Sequence, residues 1–416
     1  MIRTLEQPVI RRIPLALRCR LLARYYWLRE RPHLSKAHRA ELAAALRETS
    51  RAIGRKTVWF PELLSWFGSA FQRPNQMAVA LAESGWNVIY CEPWRAQECF
   101  RTPESDIERD FVGLRRMGGS LHLLRCPQWE AWQLLAIRQP EWVVFYNPFN
   151  GYLIPPGCRS HTIYEVVDDP SLDGRDQRWA EGHEKWVRTA DIVTATAEAI
   201  HAQMVRARPD ALLLPNGVRY EDWAVRGPSP VPSDMRAARE KSIIVGYYGA
   251  IAEWMDFDLW TAAARLRPDW AFVWIGFPYK PEITARIERA AALPNVFYLG
   301  KKMYRELPAY LGQFDVATIP FVLNPITHAC SPLKLFEYLA AGKPVVATRM
   351  REILKYQSVG FAGTAEEFVA KVESALQRRN DPSYQRLLRA EAEANTWRAR
   401  AAMLCRAMEE REQPTR

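Results

Sequence analysis

Lys334 and Glu337 stand one helical turn apart in the stretch SPLKLFEYLAAGKPVVAT, residues 331–348. Ser331 is a plausible N-cap, Pro332 suits the first helical position, and Gly342 can end the helix in a left-handed conformation. A helix N-terminus favours anions, and Lys334 adds a full positive charge in the first turn. Glu337, at i+3, shares its face. A diphosphate suits the lysine and the helix end, and the paired hydroxyls of a ribose suit the carboxylate. Together they describe a nucleotide diphosphate site. The competing reading is an ordinary i,i+3 ion pair on a solvated helix.

Other residues bear on the same chemistry. Gly249 follows an apolar run and would let a backbone approach phosphates closely. Gly246 and Gly249 do not make G-x-G-x-x-G, which disfavours a dinucleotide oxidoreductase. Arg73 opens a helical stretch after GSAFQRP, where it can orient an acceptor or a phosphate, or serve the helix end. Asp256 and Asp258 imitate a metal-binding Asp-x-Asp, but Asp256 reads as a helix cap. The seven cysteines are scattered without a C-x-x-C pair, which argues for reduced thiols over a disulfide framework or a zinc site.

These residues need elements to position them. From residue 56, short apolar runs alternate with helical patterns: 56–61, 86–93, 141–148, 161–169, 191–196 and 211–217 read as strands, with a helix over 73–85. After a Pro- and Ser-rich stretch a second series follows at 242–250, 270–277, 295–300, 314–321, 344–348 and 358–363. Apolar strands between helices imply parallel sheets covered on both faces. The expected organisation is a basic helical extension over 1–50, a Rossmann-like domain over 51–225, a linker over 226–241, a second Rossmann-like domain over 242–380, and a long polar helix over 381–416 that can cross back to the first domain. The fold class is α/β: two doubly wound parallel-sheet domains facing a cleft, with an N-terminal helical extension.

The chain has 416 residues and a formal charge of +10, of which the first 50 residues carry +7. Residues 8–31 read as a basic amphipathic helix, with Ile10, Ile13, Leu17, Leu21, Tyr25 and Leu28 on one face. It suits docking on an anionic membrane surface. A helical hairpin packed on the body is the alternative. Nucleic acid is not expected, because the arginines lack interleaved stacking aromatics. No window is apolar enough for a transmembrane helix, and no secretory signal is evident. The expected location is the cytoplasm, with peripheral attachment to the inner face of the cytoplasmic membrane as the docking reading.

The 331–348 stretch resembles the donor-site helix of GT-B glycosyltransferases. FQRPNQMAVALAESGWNVIYCEP is similar to the first β-loop-helix of the bacterial polysaccharide members, LPNGV (214–218) to their crossover between domains, and GYYGAIAEWMDFDLW and YLGKKMYRELPAYLGQFDVATIPF to their C-terminal domain. The resemblance covers roughly residues 56–380. It implies donor binding by Lys334, Glu337, Ser331, Gly249 and Lys302. Two departures stand out. Ala329 occupies the place of the first Glu of the retaining pair, and the loop GAIAEWMDF carries no base. The pattern is closer to the xanthan glucuronosyltransferase and its relatives, which implies inversion with Asp168, in Tyr164-x-x-x-Asp168, as catalytic base. The implied activity is transfer of a sugar from a nucleotide diphosphate donor, a UDP-sugar, to a lipid-linked or polysaccharide hydroxyl in cell-surface polysaccharide assembly. The implied chemistry uses no cofactor and no metal. A sugar-nucleotide epimerase of the same fold and a catalytically silent partner subunit are the alternatives.

Overall fold

The computed structural model describes residues 36–412, apart from 55, 69, 95–107, 109–110, 152–153, 155–156, 171–176 and 225–229, together with Leu21, Arg24, Tyr25 and Leu28. The N-terminal helix expected over 8–31 lies outside the described residues except for those four, which are helical and exposed. Two compact units emerge. The first comprises residues 1–196, 200–214 and 401–416, and the second comprises residues 197–199 and 215–400.

The first unit is built on eight strands: β1 (Thr57–Phe60), β2 (Asn87–Cys91), β3 (Gly113–Gly118), β4 (Leu121–Arg125), β5 (Trp142–Phe145), β6 (His161–Val166), β7 (Ile192–Ala195) and β8 (Leu212–Leu213). Their order is β3-β4-β2-β1-β5-β6-β7-β8. Among the described residues only the β3–β4 pair is antiparallel. β1, β5 and β7 are buried at every position. That explains their continuous apolar runs, because helices cover both faces of a parallel sheet.

The second unit has six strands: β9 (Ile243–Tyr248), β10 (Trp270–Ile275), β11 (Val296–Tyr298), β12 (Val316–Ile319), β13 (Val345–Ala347) and β14 (Val359–Phe361). All pairs are parallel, in the order β11-β10-β9-β12-β13-β14. The chain winds outward from β9 to β11, then returns to β12 on the other side of β9. The direction of winding therefore reverses between β9 and β12, and a ligand crevice opens beyond the carboxyl ends of such a pair.

Two boundaries differ from expectation. The linker read at 226–241 is folded from residue 233 onward. Ser233–Met235 and Arg236–Arg239 form short helices, and Met235 and Ala238 are fully buried in the core of the second unit. The Pro and Ser content hid this apolar pair, and the continuous stretch of the second unit already begins at Pro215. The single helix read over 381–416 is two, Pro382–Glu393 and Trp397–Glu412. Backbone bonds from Val218 N–H to the Asn395 carbonyl (2.9 Å) and from Trp397 N–H to the Val218 carbonyl (3.0 Å) hold the break open. The last residues pack with the first unit, where Glu412 accepts from the Trp142 indole at 2.8 Å. Among the described residues no helix is long and apolar enough to cross a membrane.

Candidate donor site

β9 ends at Tyr248 and passes into Gly249, while β12 leads through a loop to the helix Leu333–Ala340. Both loops leave the same end of the sheet because the strands are parallel. Gly249 has φ +135°, and a Cβ there would lie 2.9 Å from Lys334 Cε and 3.3 Å from Tyr247 Oη. Only glycine lets the lysine lie this close to the backbone. Gly276, at the end of β10, has φ +152°, and a Cβ on it would meet the Gly249 carbonyl at 1.8 Å.

The Lys334 ammonium lies 5.3 Å from the Tyr247 ring centroid and 5.2 Å from that of Phe321. These are cation–π distances. The ammonium makes no hydrogen bond or ion pair with any described residue. Burial pushes its pKa down, opposed by Cys330 and Glu337. A cation so placed gains from an anion that arrives from outside.

Glu337 is buried and accepts a hydrogen bond from the Tyr248 hydroxyl at 2.6 Å. Burial raises its pKa to about 7, against the opposing effects of the Tyr248 bond and of Lys334. Tyr248 is itself fixed: its ring stacks on Trp223 with centroids 5.5 Å apart, and Trp223 donates to the Tyr304 hydroxyl at 3.0 Å. The carboxylate is thus held by a rigid aromatic stack, with one oxygen left for another donor.

Ser331 does not cap the helix. Pro332 occupies the N-cap with extended ψ, no side chain caps the first turn, and the helix begins at Leu333. The proline has taken the capping place, so Ser331 contributes its carbonyl instead, which accepts from Asn216 Nδ2 at 2.7 Å. Gly342 has φ +66° just past the helix end, as expected. Lys302 does not join Lys334. It pairs with Asp234 at 2.7 Å, and Tyr310 donates to the same carboxylate at 2.9 Å. Asp256 caps the helix Phe257–Leu266, accepting from Leu259 N–H at 2.9 Å.

The remaining candidates belong to the first unit. Asp168 lies two residues beyond β6 and is exposed, whereas Asp169 is buried and accepts from Gln203 Nε2 at 3.1 Å. Arg73 is the first residue of the helix Arg73–Glu83, but its guanidinium turns inward to the fully buried Glu165 of β6. That contact occupies the side chain otherwise read as an acceptor- or phosphate-orienting group. Tyr247, Tyr248 and Phe321 were not singled out from the sequence. The doubled tyrosine between Gly246 and Gly249 was the available signal.

A six-stranded parallel sheet with the winding order found here, carrying a caged cation at its reversal point, joined to a second parallel-sheet unit, defines the GT-B fold. Residues 242–378 match the family model for group 1 glycosyl transferases. Over 254 residues the chain is 30% identical to TuaH of Bacillus subtilis, provisionally named a teichuronic acid biosynthesis glycosyltransferase; the match covers 56% of this chain and 63% of that protein. Two solved structures share the fold at low identity. Sucrose-phosphate synthase from Thermosynechococcus elongatus aligns with TM-score 0.61 at 15% identity, covering 85% of this chain and 98% of its own. The Anabaena protein Alr3699/HepE, in complex with UDP-glucose, aligns with TM-score 0.61 at 13% identity, covering 85% and 99%.

Proposed function

We propose that this protein is a glycosyltransferase that moves a sugar from a nucleotide diphosphate donor, a UDP-sugar, to a hydroxyl of a lipid-linked or polysaccharide acceptor in cell-surface polysaccharide assembly. The observation that carries this reading is the Lys334 ammonium, caged by Tyr247 and Phe321 at the reversal point of the sheet and bonded to no described residue. The match to the group 1 model, the likeness to TuaH and the UDP-glucose complex of Alr3699/HepE support it.

In this reading the diphosphate lies against Lys334 and the uncapped helix end, which stabilise the charge that grows as the nucleotide leaves. These groups supply the positive charge that a metal would otherwise bring. Glu337, held by Tyr248, accepts from the ribose hydroxyls. Asp168 takes the proton of the acceptor hydroxyl as that oxygen attacks the anomeric carbon, and the sugar is transferred with inversion. The basic N-terminal segment would dock on an anionic membrane. Leu21, Tyr25 and Leu28 lie exposed at i, i+4 and i+7 with Arg24 beside them, which supports that part.

A thermal-shift panel of UDP, GDP, dTDP, CMP and their common sugars, run beside Lys334→Ala, tests the reading. UDP or a UDP-sugar is expected to raise the melting temperature of the native protein and not that of the variant. No shift from any nucleotide at millimolar concentration would overturn it.

A further inference from the structure

β14 pairs only with β13 and forms one edge of the second unit's sheet. Beside it, the helix Ala365–Arg378 and the segment after β13 enclose a pocket of about 230 Å³. At roughly 30 Å³ per water molecule, this volume has room for a diphosphate with part of its hydration shell.

Three cations line the pocket: Arg349, Lys371 and Arg378. None forms an ion pair among the described residues, and the Arg378 guanidinium is held 4.2 Å from the Tyr384 ring centroid. An acid adjoins this wall; the neutral groups it accepts from leave its negative charge in place, and the three cations outnumber it. Glu391 accepts from Gln357 N–H at 2.8 Å, from Ser358 N–H at 3.4 Å and from the Ser358 hydroxyl. Ser374 adds a hydroxyl to the wall, and Gly360 leaves the floor bare. Like charges gathered at one concavity repel one another, and an anion with several acceptor oxygens relieves that repulsion. Two guanidinium groups and one ammonium match a phosphoryl group better than a single carboxylate.

We infer that this pocket is a second anion site, separate from Lys334, that binds a phosphoryl group. The phosphoryl group can come as inorganic pyrophosphate or on a phosphorylated sugar, and the same cations would hold either.

Calorimetric titration of the full chain carrying Lys334→Ala, first with inorganic pyrophosphate and then with a hexose 1-phosphate, tests the inference. That background removes the first site's cation. Binding should persist there and weaken at least tenfold when Arg349→Gln, Lys371→Gln and Arg378→Gln are added. Gly360→Ala keeps all three charges and adds one methyl beside Lys371. Its Cβ would lie 3.6–3.7 Å from the Val345 carbonyl, Val346 and Lys371, ordinary van der Waals contact, so the fold should tolerate it, and it should weaken binding less than loss of the charges does. Tighter binding of the hexose phosphate than of pyrophosphate would identify a phosphorylated sugar as the source. Unchanged affinity in the folded charge variant, or loss of all pyrophosphate binding through Lys334→Ala alone, would overturn the site.

Discussion

Each unit holds a cation near the carboxyl end of its sheet, Arg73 buried and Lys334 partly buried, and the two are treated in opposite ways. In the first, Arg73 and Glu165 form an ion pair whose side chains are 3% and 0% exposed. In the second, the Lys334 ammonium lies against the rings of Tyr247 and Phe321 and forms no ion pair with any described residue, Glu337 acting on it only through space. A buried cation with a built-in counterion is part of the structure. One without a counterion carries an unmet electrostatic demand, and a ligand can meet it.

The sharpest way to break this comparison is to remove the built-in partner. Arg73→Ala strands the Glu165 carboxylate in the core, and the expected cost is about 3–5 kcal/mol in urea unfolding. Arg73→Met combined with Glu165→Leu should recover most of that loss. If Arg73→Ala is neutral for stability but abolishes transfer, the pair belongs to the chemistry and the contrast fails.

Lys334→Met should behave differently. It keeps the apolar stem against Tyr247 and Phe321 and removes a desolvated charge. Stability without ligand should hold or rise, while the roughly 2.7 kcal/mol that a nucleotide adds at 100 times its dissociation constant should vanish.

Glu337 sharpens the comparison through pH. Its folded pKa of about 7 lies above the usual carboxylate value. Between the two values the folded state holds a proton that the unfolded state releases. This contribution to stability is therefore full below the unfolded pKa and is lost as pH rises through about 7. If the carboxylate accepts from the ribose as proposed, nucleotide affinity should fall by about tenfold per unit below pH 7. Glu337→Gln should remove both slopes, read by melting curves and by titration calorimetry. The smallest effect belongs to Lys302. It forms a partly exposed pair with Asp234, so Lys302→Gln should cost under about 1 kcal/mol and leave nucleotide affinity unchanged.

The second unit's sheet was almost wholly legible. Its strands are apolar, and the four inner ones, β9, β10, β12 and β13, are buried at nearly every position, so sequence pattern and environment agree there. The β3–β4 hairpin escaped notice because β3 is an edge strand carrying Arg115 and Arg116, and its polar texture hides its pairing. The break at Asn395 and Thr396 was invisible for another reason. No Gly or Pro marks it, and the bonds that hold it open come from Val218, far away in the chain. Within the site, Lys334 and Glu337 could be read because local helix spacing brings them together. The cage around Lys334 could not, since Phe321 and Tyr247 reach it through sheet pairing. Glu165, 92 residues from Arg73, escaped for the same reason.

Gly276 and Gly249 touch backbone to backbone, with no room for a side chain on the former. For anyone redesigning donor preference, the loops after β9 and β10 are therefore one part. A graft of either loop alone inherits a partner it was not shaped against, and a library that varies residues 249 and 276 independently would consist mostly of chains that cannot close this end of the sheet. The two loops have to be transplanted together.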